Sequence, residues 1–357
     1  MRGSRVPATC RSPRATIFAM RKLLLPILLL AGATLLPAAK NLEVYCIDVE
    51  GGKATLWISP SGESMLVDTG WPGFNRRDAG RILAALKHAG VKKIDYLLIT
   101  HYHKDHVGGV PQLAEKIPVR NFVDHGPSSE TGQDEDVLFK AYSAFRDKGN
   151  HILAKVGDTL PIKGMEVKFV SSDGDLLEAP LPGAGQPNPD CSGYTPPAAD
   201  LKQPENAHSV GTLITFGNLR FLDLGDLTAD KEYGLVCPNN KLGVVDVFMV
   251  SHHGSSLSDS LPFVRALHPQ VAIMNNGSRK GGAPEVWQRI HEIPGLEDFW
   301  QLHFAIAAGK ERNSPDTFIA NVDEICEGQW LKLTARPDGT FTIYNSRNKY
   351  QRDYRKR

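Results

Sequence analysis

A mostly apolar run, Ile94-Asp95-Tyr96-Leu97-Leu98-Ile99-Thr100, is followed at once by His101-Tyr102-His103-Lys104-Asp105-His106-Val107-Gly108-Gly109. The run has the length of a buried strand, and His101, His103, Asp105 and His106 crowd into the turn beyond it. Imidazole nitrogens and carboxylate oxygens suit Zn²⁺ first, with Mn²⁺ or Fe²⁺ as the other choices, and ligands packed on one tight turn can serve two adjacent ions. Gly108-Gly109 lets other backbone approach closely. A lone histidine is usually a surface or satisfied core residue; this density at a strand end points to metal. The chain must therefore fold so that strand ends converge.

The same gesture recurs twice. Two strand-like runs between Leu213 and Asp226 flank Gly217-Asn218, a two-residue hairpin signal, and the second run ends in Leu224-Gly225-Asp226. Val245 to Ser251 is another apolar run, finishing at His252-His253-Gly254-Ser255, and Val271 to Asn275 is a further buried strand. Upstream, Leu42–Asp48, Ala54–Ile58 and Ser64–Asp68 read as strands, and apolar spacing from Asp78 to a stop at Gly90 reads as a helix. In an open sheet covered by helices, ligands gather in the loops beyond the strand ends.

Composition bounds the rest. With 357 residues, 41% apolar and 23% charged, the chain is not disordered, collagen-like or a coiled coil. Residues 1–39 carry Arg2, Arg5, Arg11, Arg14, Arg21 and Lys22 and no acid, and residues 347–357 read as a basic C-terminal tail. The body at 40–346, read as a single domain, is net acidic, without the overall basic footprint of a tight nucleic-acid binder; a local basic groove remains open. Arg21-Lys22, the apolar Leu23–Leu36 and Pro37-Ala38-Ala39 follow the order of a secretory signal too short to span a bilayer. The expectation is a leader at 1–39 and a secreted or periplasmic protein with no stable membrane insertion after cleavage. Loss of Cys10 would leave Cys46, Cys191, Cys237 and Cys326 in an oxidising compartment, either as buried thiols or with Cys191 paired to Cys237. The Pro-rich stretch 173–207 reads as an insertion, either a flap over the site or a solvated loop, delivering the chain to Asn206-Ala207-His208-Ser209.

Val67-Asp68-Thr69-Gly70, Thr100 to Gly109, Gly225-Asp226 and Ser251-His252-His253-Gly254-Ser255 together resemble the metallo-β-lactamase superfamily, over roughly residues 43 to 280. Cys46-Ile47-Asp48-Val49-Glu50-Gly51-Gly52 and Phe221 to Leu227 are most similar to the exported hydrolase domain of ComEC-type competence proteins and stand-alone secreted relatives. The resemblance implies an α/β fold, the four-layer αββα sandwich of that superfamily. It further implies that His101 and His103 bind one metal, that Asp105, His106 and His252 bind a second, that Asp226 bridges them, and that Asp68 braces the histidine loop. Two departures stand out. The usual third-motif histidine falls at Glu205, leaving His208, Glu205 or Asn206 for the first metal; and Gly282-Ala283-Pro284-Glu285 stands where such proteins tend to carry His-Pro. His125 and His303 fit structural roles better than ligand roles. Arg279 and Lys280 are either anion-binding or solvated, and Trp71 and Phe74 border the cleft expected after Asp68.

Two ions sharing a water would generate a hydroxide and polarise an ester, amide or phosphoryl group. Asp105 would orient that hydroxide and His253 would protonate the leaving group. No Gly-rich phosphate loop or dinucleotide fingerprint is present. The reading is an exported two-metal hydrolase acting on phosphodiester bonds in a small molecule or short oligonucleotide. Acyl hydrolysis of a lactone, β-lactam or thioester is the alternative, and a non-catalytic metal-binding protein a further one. The oligomeric state is open.

Overall fold

The computed structural model describes residues 40–199 and 201–357. The leader, its signal and Cys10 lie outside the described residues. Strands form where the apolar runs and turn signals put them: β1 Leu42–Cys46, β2 Thr55–Ile58, β3 Ser64–Val67, β4 Ile94–Leu98, β5 Val119–Asp124 and β6 Asn150–Leu153. They are followed by β7 Thr159–Leu160, β8 Glu166–Ser172, β9 Asp175–Leu176, β10 Gly211–Phe216 and β11 Leu219–Asp223. The C-terminal set is β12 Val247–Met249, β13 Val271–Met274, β14 Asp298–His303, β15 Ile319–Asn321, β16 Leu331–Ala335, β17 Thr340–Asn345 and β18 Gln351–Arg355. One sheet runs β18-β17-β16-β1-β2-β3-β4-β5-β6, and the other β15-β14-β13-β12-β11-β10-β8-β7 with β9 on β8.

Alternation along the strands builds the layers. Val44, Trp57, Met65, Val67 and Leu98 of the first sheet pack with Val167, Ile214, Phe221, Met249 and Ile273 of the second, so one set of side chains fills the space between sheets. Their neighbours Tyr45, Leu56, Leu66 and Leu97 point the other way, onto helix residues Ile82 and Leu86 of α1 (Arg77–His88), Leu113 of α3 (Val110–Ala114) and Tyr142 of α4 (Gln133–Arg146). Here α2 denotes the short helix Lys104–Val107. On the second sheet Leu213, Leu222, Phe248 and Ala272 face Leu235 of α5 (Ala229–Val236), Phe263 of α6 (Leu261–Leu267) and Ile290 of α7 (Pro284–His291). The result is helix, sheet, sheet, helix. Each fully buried Leu, Phe or Ile in these layers contributes roughly 1.5–3 kcal/mol relative to exposure.

Each sheet carries a parallel run that reaches one edge, β3 to β6 in one and β11 to β15 in the other. Gly217-Asn218 turns β10 into β11, with Phe216 opposite Leu219. The carboxyl ends of β3, β4, β11 and β12 lead directly into Asp68, His101, Asp226 and His252. Among the described residues no helix is long and apolar enough to cross a membrane.

Two segments differ from the sequence reading. Residues 347–357 are no free basic tail: β18 pairs along β17, with Tyr354 buried, stacked on Phe341 at 4.8 Å and donating its hydroxyl to Asp298. The charge run misleads because Arg352, Asp353 and Arg355 are exposed on an edge strand, where charge is expected. The stretch 173–207 is a packed loop that buries Leu177 and Leu181, exchanges backbone hydrogen bonds with residues 238–241, and is tied by a Cys191–Cys237 disulfide; Cys46 and Cys326 are free thiols.

Candidate metal centre

Asp68 organises the site from below. Its backbone sits at φ 61°, a left-handed conformation uncommon for a residue with a side chain, and both carboxylate oxygens are committed. Oδ1 accepts the Thr100 backbone N–H at 2.8 Å, while Oδ2 accepts the Thr100 hydroxyl at 2.8 Å and His106 Nδ1–H at 2.8 Å. That last bond leaves His106 Nε2 with its lone pair facing away from Asp68. Gly225, at φ 60°, lets the Asp226 loop pass so close that a Cβ there would lie 2.8 Å from Thr100 Cβ.

His106 Nε2 and three further donors converge. That nitrogen stands 3.1 Å from His253 Nε2, 3.2 Å from Asp226 Oδ2 and 3.3 Å from Asp105 Oδ2, and His253 Nε2 is 3.2 Å from Asp105 Oδ2 and 3.3 Å from Asp226 Oδ2. All four residues are buried. A regular tetrahedron with edges of about 3.2 Å has its centre about 2.0 Å from each corner, which is the ligand distance of tetrahedral zinc. His253 donates from Nδ1 to the Asn275 carbonyl at 2.9 Å, so its Nε2 is also a lone pair, aimed at the same point. Asp226 Oδ1 is buried with no hydrogen-bond partner, as suits a carboxylate with a second cation to meet.

Both consecutive histidines face Asp226. His253, expected as the proton donor, joins Asp105, His106 and Asp226, whereas His252, expected in that set, lines the open cleft with Nε2 3.4 Å from Asp226 Oδ2. His252 and His253 have φ of 49° and 55°, left-handed conformations uncommon for residues with side chains.

On the other flank of Asp226, His101 Nε2 lies 4.0 Å from Oδ2 and 3.1 Å from His103 Nδ1. His208 does not come to this group; its Nδ1 pairs with Asp173 at 2.9 Å, beside His125. Glu205 is also committed elsewhere, holding the Tyr102 N–H and His125 Nε2 on Oε1 and the Ser129 N–H and hydroxyl on Oε2. Asn206 is buried with an unpartnered Oδ1. Of the three alternatives it alone has an uncommitted side-chain oxygen.

Electrostatics agree with a cation-seeking site. Burial raises the Asp226 and Asp105 carboxyls, yet neighbouring His106, with His253 or Lys280, outweighs burial and holds both well below the usual carboxylate range. Burial, reinforced by His253 and opposed by Asp226, pushes the His252 imidazole down to about 4. Lys280 reaches Asp105 Oδ2 and lies over the Trp71 ring, whereas Arg279 is engaged by Glu324 on the surface. Trp71, Lys104, Glu130, Gln203, His252 and Lys280 line a cleft of about 350 Å³; Phe74 is exposed. Gln203 brings the end of the Pro-rich loop to that wall. His303 lies outside the cleft, bonding Asp48 at 2.8 Å. The sequence reading missed Lys53, buried against Asp223 directly behind the Asp226 loop.

Glu205 offers a stability test. Burial raises its carboxyl, but His125 and Ser129 outweigh that and bring it down to about 2. A depressed carboxyl stabilises the fold above its unfolded value and loses that contribution as pH falls through the folded one. Glu205→Gln is therefore expected to cost up to about 3 kcal/mol at neutral pH, with the gap to wild type closing between roughly pH 4.5 and 2. Denaturant unfolding at pH 7 and pH 3 checks it; an equal gap at both would refute the assignment.

Comparison with known proteins now adds the family. The metallo-beta-lactamase superfamily model matches residues 49–187, which include the whole histidine turn. This stretch of the chain belongs to the metallo-β-lactamase superfamily. The chain is 29% identical over 199 residues to ComE operon protein 3 of Bacillus subtilis (strain 168), covering 55% of this chain and 22% of that one. Recombination protein 2 of Haemophilus influenzae is 25% identical over 237 residues, 66% of this chain and 24% of that protein. Hydroxyacylglutathione hydrolase of Klebsiella pneumoniae is 32% identical over 124 residues, 34% of this chain and 39% of that one. The chain spans about a quarter of the length of the first two. Metallo-β-lactamase membership accords with the two-sheet sandwich and implies divalent metal ions, for which the converging donors supply a chemically suitable set.

Proposed function

We propose that this chain is an exported two-metal hydrolase of phosphodiester bonds in small or short substrates. The observation that carries the metallo-hydrolase core is the tetrahedral spacing of Asp105, His106, Asp226 and His253, with His101 and His103 across Asp226. Asp105, His106, Asp226 and His253 would hold one ion, and His101, His103 and Asp226 the other. The ions, zinc by donor chemistry, would supply Lewis acidity and an activated water.

The chain's own groups divide the remaining work. Lys280 places an ammonium at the cleft, where it offsets Asp105 and meets an anionic substrate. Lys104 adds a second cation over Trp71, at 5.6 Å. Asp105 faces the reacting group as orienting carboxylate, and His252, beside Asp226, borders the cleft. The phosphodiester choice rests on these lysines beside a carboxylate able to bridge two ions, and on likeness to a protein named for recombination. Export is supported by the leader's signal pattern and by the Cys191–Cys237 bridge, since disulfides persist in oxidising compartments.

Acyl hydrolysis is the second reading, favoured by the likeness to hydroxyacylglutathione hydrolase. A panel of a phosphodiester, a phosphomonoester, a lactone, a β-lactam and a thioester separates the two. The expected result is fastest turnover of the phosphodiester, abolished by chelation, restored by Zn²⁺ or Mn²⁺, and only mildly salt-dependent because the body is acidic. A lactone or thioester turned over faster than every phosphodiester would install the acyl reading.

A further inference from the structure

A second cluster of metal-type donors lies outside the cleft. Asp48 and Glu50 occupy the turn after β1, His303 ends β14, and Cys326 follows β15. His303 Nε2 stands 2.8 Å from Asp48 Oδ1 and 3.6 Å from Glu50 Oε2. Cys326 Sγ is 3.2 Å from Asp48 Oδ2, 3.3 Å from Glu50 Oε1 and 3.9 Å from His303 Nε2. In a tetrahedral zinc site with one sulfur at about 2.3 Å and nitrogen or oxygen at about 2.0–2.1 Å, edges to sulfur are about 3.5 Å and the others about 3.3 Å. The observed separations, each taken from the nearer carboxylate oxygen, run from 2.8 to 3.9 Å, so the four groups stand close enough to converge on one ion. Charge also closes: two carboxylates and a thiolate carry three negative charges, Arg81 supplies one positive through bonds to Asp48 and Glu50, and a divalent ion would supply the other two.

We propose that Asp48, Glu50, His303 and Cys326 form a further, structural divalent-metal site of the zinc class, separate from the cleft pair. On binding, Cys326 gives its proton to solvent and a metal–thiolate bond forms. Four protein donors suffice for a tetrahedral ion, and the cluster lies outside the cleft, which makes its role structural. The site joins chain segments far apart in sequence: the turn after β1, α1 through Arg81, and the C-terminal loop. It also braces the catalytic wall, because Glu50 and Gly51 pack directly on the loop that presents Lys280; a Cβ on Gly51 would lie 2.8 Å from Lys280 Cβ. Among the described residues the other free thiol, Cys46, belongs to the inter-sheet core.

The test is cobalt titration of the full chain after chelation, kept reduced only as far as leaves Cys191–Cys237 intact. A thiolate-to-cobalt charge-transfer band in the near ultraviolet is expected, saturating at one ion per chain, together with loss of one accessible thiol. Cys326→Ser should abolish the band and lower zinc content by one ion, whereas Asp226→Ala should keep the band while lowering the metal content of the cleft. Should Cys326→Ser not fold, the wild-type titration still decides. Wild type binding cobalt without a thiolate band, or a band that survives Cys326→Ser, would overturn the site and reduce the cluster to a hydrogen-bonded thiol. Either result leaves the cleft reading intact, since the cleft contains no cysteine.

Discussion

Asp226→Ala is expected to lower the metal content of the cleft from about two ions to one or none and to cut turnover by on the order of 10³-fold or more. Asp226 Oδ2 lies within 3.2–3.4 Å of His106, His253 and His252 and 4.0 Å of His101, so one atom faces both flanks of the site. Its removal leaves these imidazoles around a space with less negative charge to retain a cation. Asp68→Asn supplies the internal scale. Asp68 touches no cation position; it orients His106 and the Thr100 turn, and losing a hydrogen-bond partner behind a ligand typically costs about 10–100-fold. Metal analysis and turnover on both variants check the ordering. Unchanged metal content in Asp226→Ala, or a loss no larger than in Asp68→Asn, would remove Asp226 from its bridging place.

Much of this centre was legible because its signals are short-range. His101 to His106 sit on one turn after an apolar run, Asp226 follows a hairpin with a strong turn dipeptide, and strand ends in a covered parallel sheet collect ligands. The choice between His252 and His253 was not legible, since two adjacent histidines give no local signal of which one stands against Asp105 and His106. Glu205 shows a different limit. Its alignment with the usual third-motif histidine invited a ligand role, yet its fate is decided by His125 and Ser129, some 80 and 76 residues away. The β18 edge strand was hidden by its own charges, which belong on an exposed edge; only Tyr354, packed on Phe341, carries the buried signal. The Cys326 cluster and the Lys53–Asp223 pair likewise join residues whose separation no local pattern reports.

That last pair carries the largest expected effect on stability. Lys53 and Asp223 have side chains only 3% and 1% exposed, and Lys53 lies where the fields of Asp223, Asp68 and Asp226 overlap. Burial pulls the ammonium pKa down, but those three carboxylates outweigh burial and raise it, so the lysine stays charged. Lys53→Met keeps most of the aliphatic volume while leaving the Asp223 carboxylate buried without its counter-ion. Removing one partner of a buried pair costs about 3–5 kcal/mol, whereas replacing both with apolar groups of similar size is often neutral or better. Recovery here should be incomplete, because Asp223 Oδ1 also accepts the Gly225 N–H at 3.2 Å, and an orphaned buried N–H costs about 1–3 kcal/mol. The expected order in denaturant unfolding is therefore wild type, then Lys53→Met with Asp223→Leu, then Lys53→Met alone. The double variant should also bind cleft metal less tightly than wild type, since Gly225 sets the path of the chain into Asp226. Equal stability of the single variant and wild type would show that Asp223 is relieved another way. A double variant losing the sum of both single losses would show that the two groups act independently and that the pair has no coupling to break.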